Sequence, residues 1–303
     1  MADDKVHSQE QITPIDIEDF TISEEEPEKP AENVNRHVLC SVAADENTPV
    51  ELLEKLIEDK DHHVRCSVAA NKKTPVETLE KLAVDNDESV RRYVAANTNT
   101  SAELLERLIE DEDHYVRCSV AANKTTPPSI LAKLAVDNDE EVRNAVAQNE
   151  STPASLLREL AVDEAWKVRT LVAENQSTPV SLLRKLAVDG DIFVRNAVAE
   201  NSSTPVSLLR KLAVDENMVV RVGVAQNEST PASLLRELVV DESMNVRKFV
   251  AENETTPVSP FEKLLEDIVR HRVFENSNTP VAVRKKLAEE LGEEDRPLPK
   301  ERL

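Results

Sequence analysis

Glycine is almost missing from this chain. Only Gly190, Gly223 and Gly292 occur in 303 residues, and they stand apart, so no glycine-rich phosphate loop is available. Aromatic residues are 3%, with Trp166 the single tryptophan; a globular enzyme of this size usually has more of both, for packing and for tight functional loops. No apolar run approaches the length of a membrane span. Positive charge is in deficit: 37 Lys and Arg face 59 Asp and Glu, for a formal net charge of -22. Of that, -9 lies on residues 1–32 and -3 on 289–303, which leaves -10 for the stretch between. Such a surface repels nucleic acid and anionic membrane, whose capture depends on clustered Lys and Arg. No strand signal is present. The opening MADDKVHSQE is polar and acidic, unlike a secretory signal, and predicts a cytoplasmic protein.

What is present is a repeat. A 26-residue unit, seen most clearly at 175–200 as NQSTPVSLLRKLAVDGDIFVRNAVAE, recurs in phase eight times over 45–252. In this copy Thr178 reads as an N-cap with Pro179 in the first helical turn. In earlier copies Thr48 with Glu51, and Thr74 with Glu77, have capping-box spacing. Val180, Leu183, Leu186 and Ala187 then form one face of a short helix. Asp189-Gly190-Asp191 turns the chain, and Asp191 caps a second helix whose apolar side is Val194, Val198 and Ala199. Asn201 follows, a residue that tolerates the left-handed closure of a helix.

Such a unit has about five to seven apolar side chains to bury, each worth roughly 1.5–3 kcal/mol. Ordering its backbone costs more, at roughly 1–2 kcal/mol per residue, so neighbours must stack. The expected fold is therefore an all-α solenoid of helix–turn–helix repeats.

The organisation follows from the phase. Residues 1–32 read as a disordered acidic tail. Within it Ile15, Ile17, Phe20 and Ile22 alternate with acids, a pattern that suits either incidental hydrophobes or a short docking motif. Residues 33–44 form half a unit, the natural N-terminal cap. Residues 253–292 are degenerate, with Pro260 interrupting one helix and Thr279-Pro280 opening a last one to about Leu291; they suit a C-terminal cap. Residues 293–303 read as frayed.

The consensus NxxTPxxLLxxLAxDxDxxVRxxVAx resembles the leucine-rich-repeat variant family over roughly residues 33–275, and its second half is similar to the second helix of HEAT repeats. The resemblance implies a right-handed superhelix of alternating α- and 3₁₀-helices, and leaves open which helix of each unit is 3₁₀. Some members carry an N-terminal iron–sulfur cluster. That needs clustered Cys ligands, and residues 1–39 have none, so no cofactor is expected. The family has no shared enzymatic activity to transfer.

Columns present in every copy read as scaffold. Asn at 71, 97, 123, 149, 175, 201, 227 and 253 can cap carbonyls at each turn. Arg of the Val-Arg pair and Asp of the first turn can pair within or between units. Cys40, Cys66 and Cys118 share one phase. At about 8–10 Å between stacked helices they are too far apart for a disulfide, so free thiols are expected. The pairs His37 with Cys40, and His63 with Cys66 beside His62, offer two or three ligands each, short of the four a metal would want.

Columns that vary carry the functional reading. After Val-Ala, Ala70, Ala96 and Ala122 give way to Gln148, Glu174, Glu200, Gln226 and Glu252. In the first helix, Glu54, Glu80 and Glu106 give way to Arg158, Arg184, Arg210 and Arg236. Changing together, the two columns suggest a facing Arg–Glu lattice. Two residues before Val-Arg, His62, Glu88, His114 and Glu140 become Trp166, Ile192, Met218 and Met244, with Phe193 and Val219 alongside. This apolar column is either a half-buried position that accepts both residue types or a stripe that binds a partner. The reading that results is a non-enzymatic scaffold for a protein or peptide, with no catalytic residues, metal, nucleic acid or membrane. Two rivals are an acidic decoy of a nucleic-acid-binding protein and a lyase-type enzyme on a HEAT-like scaffold. Carboxylate rows about 10 Å apart fit phosphate spacing poorly, which disfavours the decoy.

Overall fold

A computed structural model describes residues 30–256, 273–274, 276, 279 and 281–291. The tail positions Ile15, Ile17, Phe20 and Ile22, the break at Pro260 and the end 293–303 lie outside the described residues. Every regular element described is an α-helix, and no strand occurs among the described residues. Helix α1 (Pro30–Ala44) comes first and already begins inside the stretch read as tail. Pairs of a seven-residue and a nine-residue helix follow: α2 (Val50–Leu56) and α3 (His62–Ala70), α4 (Val76–Leu82) and α5 (Glu88–Ala96), α6 (Ala102–Leu108) and α7 (His114–Ala122), α8 (Pro128–Leu134) and α9 (Glu140–Gln148). The series continues with α10 (Ala154–Leu160) and α11 (Trp166–Glu174), α12 (Val180–Leu186) and α13 (Ile192–Glu200), α14 (Val206–Leu212) and α15 (Met218–Gln226), α16 (Ala232–Leu238) and α17 (Met244–Glu252). Helix α18 (Val281–Leu291) is the last described. The chain is an all-α solenoid.

It divides into two compact units, one ending at Ile130 and one beginning at Leu131. In the first, α1 packs on α3, α3 on α5 and α5 on α7. In the second, α9 packs on α11, α11 on α13, α13 on α15 and α15 on α17. The nine-residue helices thus form a continuous layer within each unit. Their Val and Ala columns, such as Val198 and Ala199, are fully buried, and the small Ala side chain lets neighbouring backbones approach closely. Most seven-residue helices bury a Leu pair and a Leu one turn on, as Leu182, Leu183 and Leu186 do in α12; α4 and α8 have Thr78 and Ile130 in the first place, and in α2 Leu52 is exposed. Val180 is not on that face: it follows Pro179 at the helix start and is 40% exposed.

Three local expectations change. The implied 3₁₀ element is not a separate helix. It survives as i to i+3 bonds at both ends of the short α-helices, for instance Leu182 N–H to Pro179 O at 2.8 Å and Asp189 N–H to Leu186 O at 3.0 Å. The Thr of Thr-Pro is not an N-cap, and no capping box forms at Thr48 or Thr74. The N-cap is the Pro itself, with no side-chain bond. The residue before a proline is driven extended, and the buried Thr hydroxyl turns back instead. Thr74 Oγ1 donates to Val68 O at 2.5 Å, which also accepts Asn71 N–H, and Thr204 Oγ1 donates to Val198 O at 2.6 Å, each at a last-turn carbonyl of a nine-residue helix.

Nor does the Asn column close helices in the left-handed region. Asn201 is extended, with φ -61° and ψ 122°. Its side chain reaches one repeat back. Nδ2 donates to Ala173 O at 2.7 Å and Asn175 O at 3.4 Å, while Oδ1 accepts Ser203 N–H at 2.8 Å. The same ladder is made by Asn71, Asn97 and Asn123 in the first unit and by Asn175, Asn227, Asn253 and Asn276 in the second. The Asp caps behave as read: Asp191 Oδ1 accepts Phe193 N–H at 2.8 Å.

Candidate partner-binding face

Between repeats, the Arg and Asp columns lock together. Arg143 Nε and Nη2 meet both oxygens of Asp163, at 2.7 and 3.1 Å, while Nη1 donates to Asp137 O at 2.8 Å. Asp163 Oδ1 also accepts Ala165 N–H at 2.9 Å, which shapes the turn. The pairs Arg169–Asp189, Arg195–Asp215 and Arg221–Asp241 repeat this in the second unit, and Arg65–Asp85 and Arg91–Asp111 in the first. Burial pushes the Asp163 carboxyl up, but the bonds from Arg143 and the Ala165 amide outweigh it and hold it below the usual carboxylate range. In these pairs the guanidinium is spent on its partner and on backbone carbonyls, so the arginines are structural.

None of the three thiols is in a disulfide. Cys66 and Cys118 are buried and Cys40 is half-buried. Burial, reinforced by Asp87 and Asp85, pushes the Cys66 thiol up to about 12, so it stays protonated and unreactive as a nucleophile. Asp61, His62 and His63 bring three donor atoms within 4.8 Å at the start of α3. Asp61 Oδ1 is already the cap acceptor for His63 N–H at 2.9 Å, and its Oδ2 lies 3.9 Å from Arg36 Nε. The geometry is that of a capped helix start.

The apolar column is exposed. Trp166, Met218 and Met244, each the first residue of a nine-residue helix, are 45%, 44% and 42% exposed. Phe193, at the second position of α13, is 49% exposed, while Ile192 and Val219 are half-buried. Trp166 lies against Phe193 across one repeat, with ring centroids 5.1 Å apart and planes inclined at 31°. Met218 Sδ accepts the Ser243 hydroxyl at 3.3 Å. All six positions therefore sit along one edge of the second unit, where the turn leads into the nine-residue helix.

A second apolar column, passed over by the sequence reading, borders the first. Val162, Val188 and Val214, in the turn after each seven-residue helix, are 81% exposed; Val136 and Val240 are 76% and 67%. Each of the four from Val162 on precedes Trp166, Ile192, Met218 or Met244 by four residues. The signal was the Val of Leu-Ala-Val-Asp, which takes the place of Glu58 and Glu110 in two earlier copies.

The Arg–Glu lattice is not formed. Arg210 Nη1 pairs with Glu237 at 3.1 Å and its Nη2 donates to Ser233 Oγ at 2.9 Å; Arg184 reaches Ser207 Oγ at 3.5 Å. These arginines reach along their own layer of seven-residue helices. The Glu column instead faces itself: burial, then the like charge of Glu200, raises the Glu174 carboxyl above the ordinary glutamate range.

No family model and no curated protein matches the chain. Among solved structures, it is similar to a leucine-rich repeat variant with a novel repetitive structural motif, at 31% identity and a TM-score of 0.51, over 67% of this chain and 81% of that one. An engineered protein solved as a structural-genomics target is similar at 17% identity and a TM-score of 0.35, covering 88% of this chain and 97% of its own. A computationally designed armadillo repeat protein for modular peptide recognition is similar at 20% identity and a TM-score of 0.13, over 88% and 94% of the two chains. No described helix is long and apolar enough to cross a membrane.

Proposed function

Because the chain belongs to the leucine-rich-repeat variant family, we propose that it is a non-enzymatic repeat scaffold that binds a protein or peptide. The binding edge is the one formed by Trp166, Ile192, Phe193, Met218, Val219 and Met244. The observation that carries this reading is the exposure of a Trp, a Phe and two Met in aligned repeats, at positions where the first unit has His or Glu (or Ser and Tyr, at the phase of Phe193). The fold does not require apolar residues there, and these three residue types are enriched at the centres of interfaces. The three free thiols support a reducing, cytoplasmic setting.

The test is the triple variant Trp166→Glu, Ile192→His, Met218→Glu, which restores side chains that earlier repeats carry. Peptides selected on the full-length chain from a random display library should lose the variant, while its thermal midpoint stays within about 3 °C of the parent. A midpoint lower by ten degrees or more would make the column core, and a folded variant that keeps its peptides would move the site elsewhere.

A further inference from the structure

The nine-residue helices of the second unit end on a misplaced row of acids. Glu174, Glu200 and Glu252 are each the last residue of their helix, with Gln148 and Gln226 at the same phase. A helix C-terminus favours cations, and none of these helices has a basic residue in its last turn. Glu174 and Glu200 also repel one another, and Glu174 is partly desolvated. Among the described residues, no cationic side chain pairs with Glu174. Glu200 accepts Asn196 Nδ2 at 3.0 Å. The first unit has Ala70, Ala96 and Ala122 at this phase, so stacking does not need the acids.

The row shares a face with the apolar edge. On α13, Phe193 and Glu200 are seven residues apart, two turns on one side of the helix, and about 10 Å apart along its axis. Between them on the same helix lies the half-buried Asn196. Gly223 lies under Asn196, whose Oδ1 would be 2.5 Å from any Cβ added there and has no hydrogen-bond partner of its own. The face thus offers two rows across successive helices, one apolar and one anionic.

Resting on the scaffold reading above, we propose that this face takes an extended cationic segment, with apolar side chains alternating with Lys or Arg. In an extended chain successive side chains point to opposite sides, so one set meets Trp166, Phe193 and Met218 while the other meets Glu174 and Glu200. At about 10 Å per helix and about 3.3 Å per residue, roughly ten residues cross from α11 to α17. The cations relieve the repulsion that the folded chain otherwise retains.

The full-length chain can be titrated with three synthetic peptides of about ten residues. All carry the same Leu and Phe at alternate positions, and the intervening positions are all Lys, all Gln or all Glu. Trp166 is the only tryptophan, so its emission reports coverage of the edge directly. The Lys peptide should bind at least about ten-fold more tightly than the Gln peptide, and the Glu peptide not at all. The double variant Glu174→Gln, Glu200→Gln, which copies the residue at 148 and 226, should weaken the Lys peptide about ten-fold. Glu51→Gln with Glu77→Gln, the same charge change on exposed positions of the first unit, should leave it unchanged. Equal binding of the Lys and Gln peptides, or equal loss in both double variants, overturns the cationic segment while the scaffold reading stands. Failure of all three peptides to perturb Trp166 overturns both.

Discussion

At the residue scale, the recurring polar columns were legible as structural but their partners were not. A sequence places Asn201 at the end of a helix, where local capping is the nearest explanation. Its amide instead bridges to carbonyls 26 and 28 residues back, because stacking brings the orphan carbonyls of the preceding turn within reach. The misreading of Thr-Pro has the same root: Thr204 satisfies the helix behind it, not the one ahead. Asp with Arg was legible down to the guanidinium's suitability, with the choice between intra- and inter-repeat pairing left open and settled by the structure at 20 residues' separation. The Asn ladder makes a quantitative prediction. Asn201→Ala removes three hydrogen bonds and leaves the Ala173 carbonyl buried and unpaired. At about 1–3 kcal/mol for the stranded Ala173 carbonyl plus about 1 kcal/mol for each of the other two bonds, the variant should lose roughly 3–5 kcal/mol. Chemical denaturation checks this; a loss under about 0.5 kcal/mol would mean that water replaces the amide and the ladder is incidental.

At the element scale, helix number, order and approximate length were readable because proline, aspartate and the Leu and Val periodicities punctuate every unit. What periodicity could not tell was which edge of a two-turn helix faces water, as Val180 shows by its exposure beside buried Leu182. The apolar column at the start of the nine-residue helices was visible in the sequence because polar residues in other copies gave a contrast; its role as a binding edge is what the variants above test. The valine turn was passed over because a single Val in a turn has no periodicity to judge by. The caps separate right from wrong readings by experiment. Asp191→Ala removes a real N-cap, the acceptor for Phe193 N–H, and should cost about 1 kcal/mol. Glu51→Ala breaks only the capping box that does not form, on an exposed position, and should change stability by less than about 0.5 kcal/mol. Comparable losses in the two variants would contradict the observed cap geometry.

At the scale of the whole molecule, the stitches between repeats are all defined by phase. Arg reaches Asp 20 residues on, and Asn reaches carbonyls 26 and 28 residues back, in one repeat as in the next. Removing a full period should therefore reconnect every bond to an equivalent partner. Deleting 175–200 puts Asn201 where Asn175 stood, facing Ala147 O and Asn149 O, the carbonyls that Asn175 now holds. It also puts Asp215 where Asp189 stood, ready for Arg169. The shortened chain should keep its helix content per residue and unfold cooperatively, at a somewhat lower midpoint because one stacking interface is gone. Deleting 24 residues from the same place instead rotates the following helix by two positions and turns its Val-Ala columns away from their neighbours, so that chain should lose cooperative melting or aggregate. Circular dichroism on the two deletions decides the matter. Equal behaviour would mean that generic helical packing holds the array together and the phase-locked bonds do not. The 26-residue deletion also removes Ile192 and Phe193, so a chain that folds but no longer shows the peptide-induced change at Trp166 would separate the scaffold from the face it presents.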